Sequence, residues 1–279
     1  MTTVVPKSRA DRAGRTDFGP GTAADLAEIA ERLVAAEAVL ICCHRGPDGD
    51  SVGSMIALAT LLRAAGKKAT LWSPDLIPRH LQWLPLARKF TRKLAAKARY
   101  SCTIVVDCAD AKLLARPFPA RAITGDLIVL DHHSTTQPFG ELYLCDPSAA
   151  SVGLMVARLA RHCDWTLGAH AAMGIYVSLI ADTGSFAYSN TTAEALELAA
   201  ELVGGGVDPW HVHAMLHERA TLSRYRLLSR ALDTIELILD GKVAVMTITH
   251  ELVKQAGANW DESRDLVNYT RALDGVECG

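Results

Sequence analysis

"HRGPDGDSVGS" (His44 to Ser54) follows the apolar run "AVLICC" (Ala38 to Cys43) and packs one histidine, two aspartates and three glycines into eleven residues. The P-D-G core is an ordinary turn signal between a strand and a helix. This turn, however, carries three candidate metal ligands, His44, Asp48 and Asp50. Two further β-branched-rich runs end in the same way. "CTIVV" (Cys102 to Val106) runs into Asp107, and "LIVL" (Leu127 to Leu130) runs into "DHH" (Asp131 to His133). A fourth strand is expected at "KKATLW" (Lys67 to Trp72). Helical patterns lie between the runs, at Ser51 to Ala65, closed by Gly66, and over the basic stretch Leu86 to Tyr100. Strands alternating with helices predict an α/β fold with a doubly wound, mostly parallel sheet buried on both faces.

Beyond "DHH" the chain turns helical. "SAASVGLMVARLARH" (Ser148 to His162) and "LGAHAAMGIYVSLIAD" (Leu167 to Asp182) carry apolar residues at helical spacing. "TTAEALELAAELVGGG" (Thr191 to Gly206) has a capping-box-like start and a glycine stop. The expected organisation is a flexible tail over 1–22, a main domain over 23–208, a helical linker over 209–239, and part of a second α/β domain over 240–279. That last part opens as a strand after a D-G turn. At about forty residues it is too small to hold a core of its own.

The 279 residues are 49% hydrophobic with a net charge of −2, which predicts a globular protein without the basic field that duplex DNA binding demands. A nucleic-acid ligand would be short or held by a local patch. Seven cysteines without a C-x-x-C pair point to a reducing compartment. With no apolar leader and no stretch of membrane-spanning length, the expectation is a cytoplasmic protein without a membrane partner. Homodimer formation is left open.

In an open parallel sheet, ligands collect beyond the carboxyl ends of the strands. His44, Asp48, Asp50, Asp107, Asp131, His132 and His133 fall on that edge. "IADTGSFAYSN" (Ile180 to Asn190) adds Asp182 at the end of an apolar helix. Carboxylates with some imidazole suit Mn²⁺ or Mg²⁺, and two such ions clamp a phosphoryl group and make hydroxide from water. A helix beginning at Ser51 would turn its N-terminal amides to the same place, favouring an anionic phosphate. Gly49 and Gly53 are expected where the backbone turns or approaches ligand closely.

In this order and spacing "HRGPDGDSVGS", "VVDCAD" (Val105 to Asp110), "LDHHST" (Leu130 to Thr135) and "IADTGSFAYSN" resemble the four motifs of the DHH phosphoesterase superfamily. From about Leu26 onward the chain most resembles its bifunctional oligoribonuclease and PAP phosphatase group. The resemblance implies that His44 and Asp48 bind one Mn²⁺, that Asp50, His132 and Asp182 bind the other, and that Asp107 bridges both. It makes Asp131 the carboxylate that orients a histidine, and His133 the residue facing the substrate phosphate. Ser185 and Asn190 receive no role. The family's second domain, DHHA1, grips substrate through a glycine-rich "GGGH" segment. Residues 240–279 match only its first part, so an incomplete DHHA1-like domain is expected.

The implied activity is Mn²⁺-dependent hydrolysis of short oligoribonucleotides and of 3′-phosphoadenosine 5′-phosphate (pAp). The same metals could serve a cyclic dinucleotide, pyrophosphate or polyphosphate, or single-stranded DNA. An inert nucleotide-binding regulator is disfavoured because all six ligands are present. His213 and His217 in "HVHAMLH" have no acidic partner from another element and read as a helix face. The run "RKFTRKLAAKARY" (Arg88 to Tyr100) reads as the wet side of an amphipathic helix, with guidance of an oligonucleotide as the alternative. The five tryptophans read as core or interface residues.

Overall fold

The structure of the chain is a computed structural model that describes residues 21–279. It divides into two compact units, one ending at Met215 and one running from Leu216 to Gly279. In the first, the order is β1 (Thr22–Ala23), α1 (Leu26–Ala35), β2 (Ala38–Cys42), α2 (Gly49–Ala64), β3 (Lys68–Leu71) and β4 (Cys102–Val106). There follow α3 (Arg121–Thr124), β5 (Asp126–Asp131), β6 (Leu142–Cys145), α4 (Val152–His162), α5 (Ala169–Asp182), α6 (Ala193–Gly204) and α7 (Pro209–His217). Most of the tail expected over 1–22 lies outside the described residues. Its last residue, Thr22, belongs to the sheet, where β1 pairs with β6.

All six strands are parallel, in the order β1-β6-β5-β4-β2-β3. β2, β4 and β5 are the three acid-ended runs and are buried along nearly every residue, as strands covered on both faces must be. After β2 the chain steps outward to β3 and then returns to lay β4 on the other side of β2. That reversal opens a crevice at the carboxyl ends of β2 and β4.

α2 is buried along most of its length and packs closely on α5. A methyl group on Gly53 would collide with the Gly174 carbonyl oxygen, and one on Gly174 would lie 2.5 Å from the Gly53 oxygen. A Cβ at Gly49 would stand 2.5 Å from that of Ala181. The expectation that Gly49 and Gly53 serve a turn or a ligand is therefore corrected: they let two helix backbones approach. The helix also starts earlier than Ser51. Asp48 is its N-cap, accepting from Ser51 N at 3.0 Å, while Asp48 N donates to Ser51 Oγ at 2.9 Å. At α6 the cap is Thr192, one residue later than a box with Glu194 requires, so the third helical position is Ala195 and Glu194 is left to hold Arg158.

The basic stretch 86–100 is not a helix. Leu86 has a left-handed φ of 63°, Ala87–Lys89 make one 3-10 turn, and Thr91 bridges to Trp72. Leu94 and Tyr100 pack on the cluster around Trp72, Val105 and Phe118. Single apolar anchors hold this extended crossing, and its Ala, Lys and Arg content imitates a helix only because those residues favour one where tertiary contacts are silent.

The second unit holds α8 (Leu222–Leu232), an antiparallel hairpin of β7 (Glu236–Ile238) and β8 (Val243–Val245), α9 (His250–Gln255) and α10 (Asn268–Arg271). The helical stretch expected to reach Leu239 thus breaks between α7 and α8 and ends in a strand. Leu239, Asp240 and Gly241 turn the hairpin with positive φ. Leu227 and Ala231 of α8 join Val253, Ala256 and Leu266 in a buried cluster. The segment expected to lack a core has one once α8 is counted with it. Among the described residues, no helix is long and apolar enough to cross a membrane.

Candidate metal centre

Each candidate ligand sits at or beyond the carboxyl end of a buried strand or helix, or at the amino end of α2. His44 lies two residues past β2, Asp48 caps α2 and Asp50 occupies its first turn. Asp107 follows β4 directly with a left-handed φ of 55°, and its amide donates to Leu130 O at 2.9 Å. Non-glycine residues hold that conformation at a cost of about 1–3 kcal/mol, and such strain concentrates at functional sites. Asp131 closes β5, with His132 and His133 next in line. Asp182 closes α5.

These side chains converge. His44 Nε2 stands 3.4 Å from Asp107 Oδ2 and 3.6 Å from Asp48 Oδ2. His132 Nε2 stands 3.3 Å from Asp182 Oδ2 and 3.6 Å from Asp50 Oδ2. The groups with metal-compatible spacing are His44–Asp48–Asp107, Asp50–His132–Asp182 and Asp107–His132–His133. Asp107 thus belongs to two of the three. On their other nitrogens the rings are tied to carbonyls, His44 Nδ1 to Arg45 O at 2.8 Å and His132 Nδ1 to Ala149 O at 3.0 Å. A carbonyl only accepts, so both Nδ1 atoms carry hydrogen and both Nε2 atoms turn to the carboxylates. Asp131, fully buried, accepts from His133 Nδ1 at 2.8 Å and from the Thr136 hydroxyl.

The carboxylates strain against one another. Burial, with Asp50 nearby, pushes Asp107 up to about 7 and Asp182 up to about 6, and burial raises Asp50 as well. Burial also works against a charge on His44, but Asp107 and Asp48 outweigh it and push that ring up to about 11. The Asp131 hydrogen bond pushes His133 up to about 9. This is a pocket of negative charge in want of cations.

Three supporting features escaped the sequence reading. Asp50 is held by Ser54 Oγ, Ser178 Oγ and the backbone amide of Val152. Asn190 Nδ2 reaches the Asp182 carbonyl at 3.1 Å and its carboxylate at 3.4 Å, which ties the fourth motif together. Arg45 joins the first motif to the loop after β4, through Leu113 O and Lys112 O. A serine four residues after Asp50 is the one such signal legible in advance. His213 stacks on Trp210 and joins none of the metal-compatible groups among the described residues. Of the tryptophans, Trp72 is core, whereas Trp210 and Trp260 are exposed.

The model of the DHH family, N-terminal domain, matches residues 38–200. The chain belongs to the DHH family. It is 33% identical over 254 residues to a bifunctional oligoribonuclease and PAP phosphatase NrnA of Thermus thermophilus, covering 88% of this chain and 73% of the relative. A Bacillus subtilis protein of the same name is 24% identical over 255 residues, covering 89% and 78%. Among solved structures, an exopolyphosphatase-related protein from Bacteroides fragilis superposes with a TM-score of 0.83 at 21% identity, over 95% of this chain and 79% of that one. That likeness concerns the fold.

Proposed function

We propose that the chain is a Mn²⁺-dependent phosphoesterase that trims short oligoribonucleotides and removes a phosphate from pAp, with Mg²⁺ as the alternative ion. The observation that carries this reading is His132 Nε2, a buried nitrogen that has no hydrogen-bond partner among the described residues and faces two carboxylate oxygens. Despite burial, those carboxylates hold a proton on the ring when no metal is present, and a divalent cation set between the three atoms would take the place of that proton with more charge. Two ligand atoms each about 2.1 Å from an octahedral cation stand roughly 3 Å apart. The separations of 3.3 to 3.6 Å in both clusters suit that filling. His44, Asp48 and Asp107 would hold one ion, and Asp50, His132 and Asp182 the other, with Asp107 reaching both.

Bound there, two divalent cations supply phosphate charge neutralisation and hydroxide near neutral pH. The side chains do the rest. Arg45 O and Ala149 O keep His44 and His132 in the tautomer that points Nε2 inward. Asp131 fixes the ring and the proton of His133 from below, leaving Nε2 of that half-exposed ring for the substrate. Protonated, His133 pairs with a phosphate oxygen and holds the proton that the leaving oxygen takes. The curated relatives, both named for these two activities, support the choice of substrates, and a cytoplasmic location fits them.

The test is hydrolysis in MnCl₂ of pApA, pAp, cyclic-di-AMP and pyrophosphate, each supplied alone. Release of AMP from pApA and of phosphate from pAp is expected. Turnover confined to cyclic-di-AMP would overturn the substrate assignment while leaving a phosphoesterase, and turnover confined to pyrophosphate, a phosphoanhydride, would overturn the phosphoesterase reading itself.

A further inference from the structure

Asp50 is 1% exposed, and its two oxygens are treated differently. Oδ1 receives Ser54 Oγ at 3.0 Å, Ser178 Oγ at 2.5 Å and Gly153 N at 3.4 Å. Oδ2 receives the Val152 amide at 2.9 Å and otherwise faces His132 Nε2. Ser178 is the hub of this arrangement. Fully buried on α5, its hydroxyl also accepts from Gly153 N at 2.9 Å and lies 2.8 Å from Ser151 Oγ. A hydroxyl has one proton to give. The charged carboxylate is the stronger acceptor, so Ser178 donates to Asp50 and Ser151 donates to Ser178.

The space for this hydroxyl exists because residue 153 is glycine. A Cβ there would collide with Ser178 Oγ and stand 2.6 Å from Ser178 Cβ. Helices α4 and α5 therefore meet as a matched pair, a missing side chain on one and a hydroxyl on the other. The hydroxyl fills the gap and reaches through to Asp50 on α2.

We propose that Ser178 is a positioning residue: by pinning Oδ1 of Asp50, it fixes Oδ2 as the oxygen offered to the cation shared with His132 and Asp182. This rests on the metal reading above. Without Ser178, Oδ1 would keep only Ser54 Oγ and the longer Gly153 contact, and the carboxylate would lose its shortest restraint against turning a different oxygen to the ion. Side chains that orient a metal ligand are worth about 10- to 100-fold in metal affinity. The pinning acts on one ion only, because His44, Asp48 and Asp107 have no contact with Ser178 among the described hydrogen bonds.

Binding of Mn²⁺ alone to the full chain, followed by equilibrium dialysis and by the electron paramagnetic resonance of the free ion, tests this without substrate. Wild type is expected to take up two ions. Ser178→Ala is expected to weaken one of them by about tenfold and leave the other unchanged. Two double variants separate the hydroxyl from the volume it fills. Ser178→Gly with Gly153→Ala refills the gap with a methyl group from the α4 side, whereas Ser178→Gly with Gly153→Ser refills it with a hydroxyl. The serine pair is expected to recover most of the lost affinity and the alanine pair to recover thermal stability alone. Equal recovery by both would reduce Ser178 to a space filler and overturn the proposal, as would unchanged binding in Ser178→Ala. A wild-type chain that takes up no Mn²⁺ would instead overturn the metal reading, and this proposal with it.

Discussion

His133 donates from Nδ1 to Asp131 Oδ1 across 2.8 Å, joining a ring whose side chain is 47% exposed to a carboxylate that is wholly buried. The adjacent His132 has the opposite arrangement: its Nδ1 is spent on a backbone carbonyl, and its Nε2 is buried among carboxylates. Two neighbouring imidazoles thus present different faces of the same chemistry. His132→Ala should empty one Mn²⁺ site. His133→Ala should keep both ions and lower the turnover rate by about 10²-fold or more, the usual worth of a proton donor. Metal counting beside single-turnover kinetics separates the two, and equal ion loss in both variants would show the pair misassigned.

Asp107 stands in two of the three candidate ligand groups. Replacing it with asparagine keeps the size and tolerates the left-handed backbone while removing the charge. Asp107→Asn should fold with near-native circular dichroism and lose activity by at least about 100-fold. Retention of both ions with near-native turnover would defeat the bridging assignment.

In metal-free protein the Asp131–His133 bond should leave a pH signature. The ring is raised from 6.5 to about 9 in the fold. Its contribution to stability is therefore complete below the unfolded value and is lost as pH rises through about 9. In EDTA, the melting temperature of wild type should exceed that of His133→Asn most clearly below pH 6.5, and the two should draw together by about pH 9. A gap that widens with pH would reverse the sign and refute the ion pair.

Gly53→Ala places a methyl group against the Gly174 carbonyl and 3.0 Å from Ser178 N, where neither backbone can give way cheaply. Overpacking of this kind costs about 1–3 kcal/mol. Urea unfolding should register that loss even though alanine is the better helix former. Equal or greater stability would mean that α2 and α5 shift apart freely.

The sheet and its acid-ended strands were legible because burial on both faces demands an unbroken apolar run, so an abrupt aspartate or histidine at its end has no packing explanation. The gathering of His44, Asp48, Asp50, Asp107, His132 and Asp182 was foreseen from those strand ends together with the fourth motif, while their division between two ions came from the family resemblance alone. Residues 86–100 were not legible. Their apolar residues anchor singly to a cluster assembled from distant strands, and no local period records such contacts. β7 was hidden too, since Glu236, Leu237 and Ile238 are all exposed and only the short Asp233–Thr234 turn, without glycine or proline, parts them from α8. Ser178 was the least visible. A serine within an apolar helix has no distinctive pattern, and its partner Asp50 lies 128 residues away in the chain.

That separation bears on when the protein becomes able to act. Asp50 comes from the second helix to be synthesised, and Asp182 and Ser178 from the fifth, after every strand of the sheet has been made. Contacts so distant in sequence form late, because the chain between them must be ordered before the closure is rewarded. Until α5 docks, the early carboxylates face water and can be hydrated separately. Only docking crowds them into a pocket where a divalent ion is worth more than solvent. An emerging chain therefore passes through most of the synthesis of this unit before Asp182 can join Asp50 and His132, and the proposed ion site is complete only once α5 is in place.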